Sequence, residues 1–166
     1  MGSDAGKGMS IVAGIIILLG TFFFAMLQIG GLFYSGIGGA LNIIDLITDT
    51  NTYAVILGIP SWAVYILLVV DILFIISGVL VLIGASSRAT AIIGSILPLL
   101  IGLLLILDAF NVSIGIDVIS YLIIFQGTEL ISGIIPFNYE LAGASLGAFV
   151  LAVGGVLGLI SGFLER

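Results

Sequence analysis

The chain has 166 residues, of which 61% are hydrophobic and 7% charged, whereas a soluble domain carries about 25% charged residues. With three Lys/Arg and no Cys or His, it lacks the groups for disulfides, zinc sites, haem ligation through His, and Ser-His or Cys-His catalysis. The same shortage of cations excludes nucleic acid as a partner, because binding it depends on neutralising many phosphates. The composition is that of an integral membrane protein of one domain, for which neither a cofactor nor a metal is expected.

Charge-free stretches cover residues 8–44, 89–107 and 141–164, each close to or beyond the roughly 20 residues that a helix needs to cross a bilayer. The short leader "GSDAGKG" lacks the spacing and the Ser/Thr of a phosphate-binding loop. The apolar run after it is too long for a signal peptide, and "FFFAMLQ" offers no small-x-small cleavage site. The first span is placed at about 10–33 and is expected to be retained.

Residues 34–60 follow as a long link. Within "IGGALNIIDLITDT", Leu41, Ile44 and Ile47 recur at helical spacing, with Asn42, Asp45 and Asp49 on another face. The second and third spans, about 61–84 and 89–110, are joined by the tight link "GASSRAT", which makes them an antiparallel hairpin. Residues 111–140 form the second long link. There, Asp117 and Glu129 bracket 11 uncharged residues, too few to span, so an interfacial or re-entrant helix is predicted. Asn111-Val112-Ser113 in this link is a glycosylation sequon. The fourth span is placed at about 141–163.

This predicts an all-α, four-helix transmembrane bundle with two outer amphipathic or re-entrant segments. Lys7, Arg88 and Arg166 share the side of the termini with Asp4 and Glu165, leaving that side at +1. Asp45, Asp49, Asp108, Asp117, Glu129 and Glu140 place -6 on the other side. By the positive-inside rule both termini are cytoplasmic, and the cell membrane is the expected location.

Glycines recur at close-packing intervals: Gly154, Gly158 and Gly162 in the last span, Gly143 and Gly147 before them, and Gly94 and Gly102 in the third. Lipid tails are as apolar as Leu, so helices in a bilayer associate mainly by close packing, and small residues let backbones approach. These stripes are expected to hold the bundle together, or to join it to a second copy or another membrane subunit.

One acid interrupts "YILLVVDILFIISG". Asp71 falls near the bilayer centre, where a charged Asp costs about 2.5–3.5 kcal/mol on insertion scales. It is therefore expected to face protein and to be neutral or paired with a cation. Counting depth along the predicted helices places Gln28, Asp108 and Ser145 near the same level, as an interhelical polar cluster that bonds helices together or handles a proton or cation.

A carboxylate in a Gly-rich hairpin resembles the proteolipid rotor subunits of rotary ATPases, but this chain has no G-x-G-x-G-x-G run and no R-Q dipeptide in its short link. The topology resembles that of claudin-like tetraspans, without their W…G-L-W…C…C signature. Neither resemblance implies site residues here. The leading expectation is a small non-enzymatic accessory, scaffold or assembly subunit acting through helix packing and its outer cap. The alternative is a proton- or cation-conducting protein or subunit that uses the mid-membrane carboxylate.

Overall fold

A computed structural model of the chain describes residues 2–112, 118–141 and 143–164. Asp117, Glu165, Arg166 and the Ser113 of the sequon lie outside the described residues. The fold is mostly helical. Helix α1 (Gly2–Leu18) runs on as a single π-turn (Leu19–Phe23), and the chain then enters a hairpin of β1 (Leu27–Ile29) and β2 (Leu32–Tyr34). Helices α2 (Gly36–Thr48) and α3 (Thr50–Leu57) lead to the long α4 (Ser61–Ile83) and α5 (Arg88–Ala109). A short α6 (Val118–Tyr121), a 3-10 turn (Leu122–Phe125) and β3 (Gln126–Gly127) follow. A small hairpin of β4 (Glu140–Leu141) and β5 (Ala144–Ser145) precedes α7 (Leu146–Phe163).

Four helices are long and apolar enough to cross a bilayer: Asp4–Phe23, Ser61–Ile83, Arg88–Ala109 and Leu146–Phe163. The middle two match the predicted bounds to within a residue at each end. Pro60 precedes α4, and Ser87, in extended conformation, immediately precedes the first residue of α5. The first and fourth spans are shorter than predicted, and for the same reason. Residues 27–34 are apolar enough for a helix, but Gly30 and Gly31 sit at φ 57° and 84° and close a two-residue turn between the paired Ile29 and Leu32. Two successive positive φ values are what a tight hairpin needs, and glycine adopts them freely. At the other end Gly143, at φ 86°, lies in the β4–β5 turn and not in a helix, so α7 begins at Leu146. The fold is therefore not purely α-helical. Instead of one helix between Asp117 and Glu129 there are the short α6, the 3-10 turn and a strand.

The four long helices form an antiparallel ring in the order α1, α4, α5, α7 and back to α1. Ser10 Oγ donates to the Val81 carbonyl at 2.7 Å, and Gly14 lies against Gly78 and Leu82, which sets α1 against α4. Gly94 meets Ser77 and Leu80 across the α4–α5 contact. Gly102 meets the Ala148 and Ala152 backbone, and Gly155, Gly158 and Gly162 meet Leu99, Ser95 and Ile92, across the α5–α7 contact. Gly147 and Gly154 meet Ala25 and Ile17 and close the ring. A Cβ at any of these helical glycines would collide with the facing helix or, at Gly147, with the Ala25–Met26 backbone just past the first span, so close backbone approach is what holds the ring.

Both described chain ends and the α4–α5 turn occupy one end of this ring. Residues 24–60 and those described between 110 and 145 build a cap at the other. In the cap β1, β2 and β3 make a three-stranded sheet, which pairs Phe33 and Tyr34 with Gly127 and Gln126. Asn42 Nδ2 donates to the carbonyls of Ile124 at 2.9 Å and Gln126 at 2.8 Å, tying α2 to the same segment.

Candidate functional site: a buried carboxylate under a glycine turn

The buried stripe of α4 is Val64, Leu68, Asp71, Phe74, Ser77, Gly78 and Val81, a repeat of three and four residues that defines one face of a helix. Asp71 therefore occupies a core position, and its relative exposure is 0%. It lies ten residues below Ser61, about 15 Å along the axis at 1.5 Å per residue.

Helix α2 reaches down to that depth. Its first turn reads Gly36-Ile37-Gly38-Gly39, and three segments press on the three glycines. The Thr21 methyl and carbonyl abut Gly36, and the Phe125 carbonyl abuts Gly38. Asp71 Oδ1 lies 2.5 Å, and the Phe125 ring 2.8 Å, from where a Cβ on Gly39 would stand. The Phe125 ring meets Phe74 edge-on, with centroids 5.2 Å apart. The second long segment thus closes over Asp71 from above, and α2 is wedged between α1 and α4.

Thr21 belongs to the π-turn, a distortion that is frequent at functional sites, and it is 1% exposed. The antiparallel pairs Ser10–Val81 and Gly14–Gly78, extended one residue for one, bring Thr21 about level with Asp71. Both carboxylate oxygens of Asp71, Thr21 Oγ1 and, nearer the termini, Ser77 Oγ have no hydrogen-bond partner. Buried polar atoms in folded proteins are paired in about 90% of cases or more, so this group needs a physical explanation.

The first-turn amides of α2 do not supply the missing bonds. Gly38 N–H is directed at Ser35 Oγ at 3.3 Å, and Gly39 N–H donates to the Ser35 carbonyl at 3.1 Å. Ser35 N–H itself donates to the Phe125 carbonyl at 3.0 Å.

The residues expected to cluster with Asp71 are placed differently. Asp108 is exposed near the cap end of α5. Gln28 is half-buried on β1, where its Oε1 accepts from Asn138 Nδ2 in the cap. Ser145 is buried on β5, just before α7. Thr21 was not among the expected residues. A first span that runs to residue 33 sets Gln28 near the level of Asp71. With the helix ending at Phe23, the intervening Thr21 takes that level. Of the glycines, Gly94, Gly102, Gly154, Gly158 and Gly162 face another helix of the same chain, Gly147 faces the Ala25–Met26 backbone after the first span, and Gly143 alone is a turn residue.

The cap holds a second polar feature, a cleft of about 330 Å³ lined by Asn42, Asp45, Asp49, Thr52, Tyr53 and Gln126 among others. Burial raises the Tyr53 phenol above its ordinary value of 10.0, and the Asp45 and Asp49 carboxylates push it the same way. Among the described residues no three acids are grouped so as to hold a metal ion.

No family model, curated protein or solved structure matches this chain.

Proposed function

We propose that the chain is a non-enzymatic, four-span accessory or assembly subunit of the cell membrane that works by association through its cap. Both termini are cytoplasmic in this reading and the cap faces outward. The supporting observation is the uneven use of its apolar surface. The glycine faces are taken up between helices of the same chain. On the cap, Leu41, Ile44 and Val55 are 64%, 69% and 82% exposed, beside the exposed Asp45 and Asp49. Large apolar side chains rimmed by polar ones mark interaction surfaces. Their partner is a second copy of the chain or another membrane subunit.

The test is isolation from the native membrane in mild detergent, with chemical cross-linking beforehand. A fixed stoichiometric partner or a homo-oligomer is expected, and Ile44→Lys with Val55→Lys should release it while leaving the bundle folded. A monomer without a cross-linked neighbour overturns the reading.

A second reading, a proton- or cation-conducting subunit, draws support from the unpartnered carboxylate at mid-span. Ion or proton flux in liposomes that Asp71→Asn abolishes would establish it.

A further inference from the structure

We infer that Asp71, Thr21 and the glycine turn of α2 form an occluded site for one monovalent cation, either a bound proton or an alkali ion. The inference requires neither the accessory reading nor flux, because a cation held permanently in place satisfies it.

Charge and geometry carry the argument together. A fully enclosed carboxylate is tolerated only when it is neutralised or well paired. Among the described residues no basic group stands at the depth of Asp71, since Lys7 of α1 and Arg88 of α5 both lie at the end of the ring that holds the chain ends. Residues 8–23 of the first span, the 3-10 turn and α7 contain no charged side chain. The other ionisable groups on the neighbouring elements are Asp4 and Lys7 on α1, Asp45 on α2, Tyr53 on α3, and Arg88 and Asp108 on α5, and the two cations stand at the end of their helices far from Asp71. Arg88 stands beyond the far end of α4, whose last residue Ile83 is about 18 Å along the axis from Asp71. At the start of α2 the Gly38 and Gly39 amides are directed at Ser35 and not at the carboxylate.

Oxygen is the only available ligand type. Two carboxylate oxygens and the Thr21 hydroxyl are buried and unpartnered, and both residues border the first turn of α2, Thr21 at Gly36 and Asp71 at Gly39. One carboxylate balances a single charge, which fits a monovalent ion and not a divalent one. Gly39 explains the occlusion: α2 lies so close over Oδ1 that the site exchanges its ion only when the wedge lifts.

The two sources separate in one set of measurements on the full chain in liposomes. Infrared spectra at neutral pH read the C=O stretch of a protonated carboxylic acid. Thermal unfolding in sodium, lithium or potassium chloride, against choline chloride, reads alkali binding. A bound proton gives a protonated-acid band that Asp71→Asn removes and Thr21→Val shifts, with no dependence on the alkali ion. A bound alkali ion gives a higher unfolding temperature in one alkali salt than in choline, lost in Asp71→Asn and diminished in Thr21→Val. Should Asp71→Asn fail to fold, 13C-carboxyl labelling of aspartate in the wild-type chain distinguishes acid from carboxylate directly. An ionised Asp71 whose stability is indifferent to every salt overturns the proposal.

Discussion

At the scale of single residues, Asp71 and Gly39 define each other. The Cβ of an alanine at position 39 would stand 2.5 Å from Oδ1 and 2.8 Å from the Phe125 ring, and a packed site with no slack resists even one added methyl. Gly39→Ala should cost about 1–3 kcal/mol, read by denaturant titration in mixed micelles. In an Asp71→Ala background part of that crowding is gone, so the two substitutions should couple by about 0.5–3 kcal/mol. Strict additivity would mean that α2 does not bear on Asp71. The acid itself was plain in the sequence, because a lone charge among Ile, Leu and Val is visible without a structure. Its neighbours were not, since Thr21 and Gly39 meet it through tertiary contacts that residue spacing alone does not encode.

The elements differ in how far their ends could be read. Helices α4 and α5 are bounded by Pro60, Gly84 and Ser87 in otherwise unbroken apolar runs, and such punctuation is visible to the eye. The run from residue 19 to 34 has no such break in hydropathy. A short apolar run suits a buried strand and a buried helix equally, and only the Gly30-Gly31 pair marks the turn. The same holds for residues 118–127, where an uncharged, mostly apolar run folds into three short pieces. The turn can be tested without disturbing packing, because a Cβ at Gly31 would meet nothing within 4 Å. Gly31→Val should therefore cost about 1–3 kcal/mol through backbone strain alone, and Gly31→Asn less, since Asn enters the left-handed region more readily. Hydrogen exchange at the Ile29 and Leu32 amides, the pair that closes the turn, is the readout. Equal protection in the two variants would contradict a turn held by positive φ.

For the whole molecule, the architecture keeps Lys7 and Arg88 away from the cap. Lys7 and Arg88 stand at the end of the ring that holds the chain ends, while Asp45, Asp49, Glu129 and Glu140 belong to the cap. The chain has no cysteine, so single-cysteine variants report topology cleanly. In the proposed orientation Tyr139→Cys, on the exposed cap outside the Leu41–Ile44–Val55 patch, should react with a membrane-impermeant maleimide on intact cells, and Lys7→Cys only after permeabilisation. The reverse pattern would invert the orientation and place the acidic cap in the cytoplasm.

The seat of α2 is shared between distant parts of the chain, and this puts a clock on its assembly. Phe125, which closes over the carboxylate, leaves the ribosome 54 residues after Asp71. At about 5–20 residues per second that is an interval on the order of 3–10 s. Through that interval the acid is already synthesised while its cover is not, and β3 is not yet present to anchor the β1–β2 hairpin. The nascent chain has to shelter Asp71 in some other way, against the insertion machinery or in a water-filled pocket between the first spans. The bundle reaches its final form only when the second half arrives to close the first.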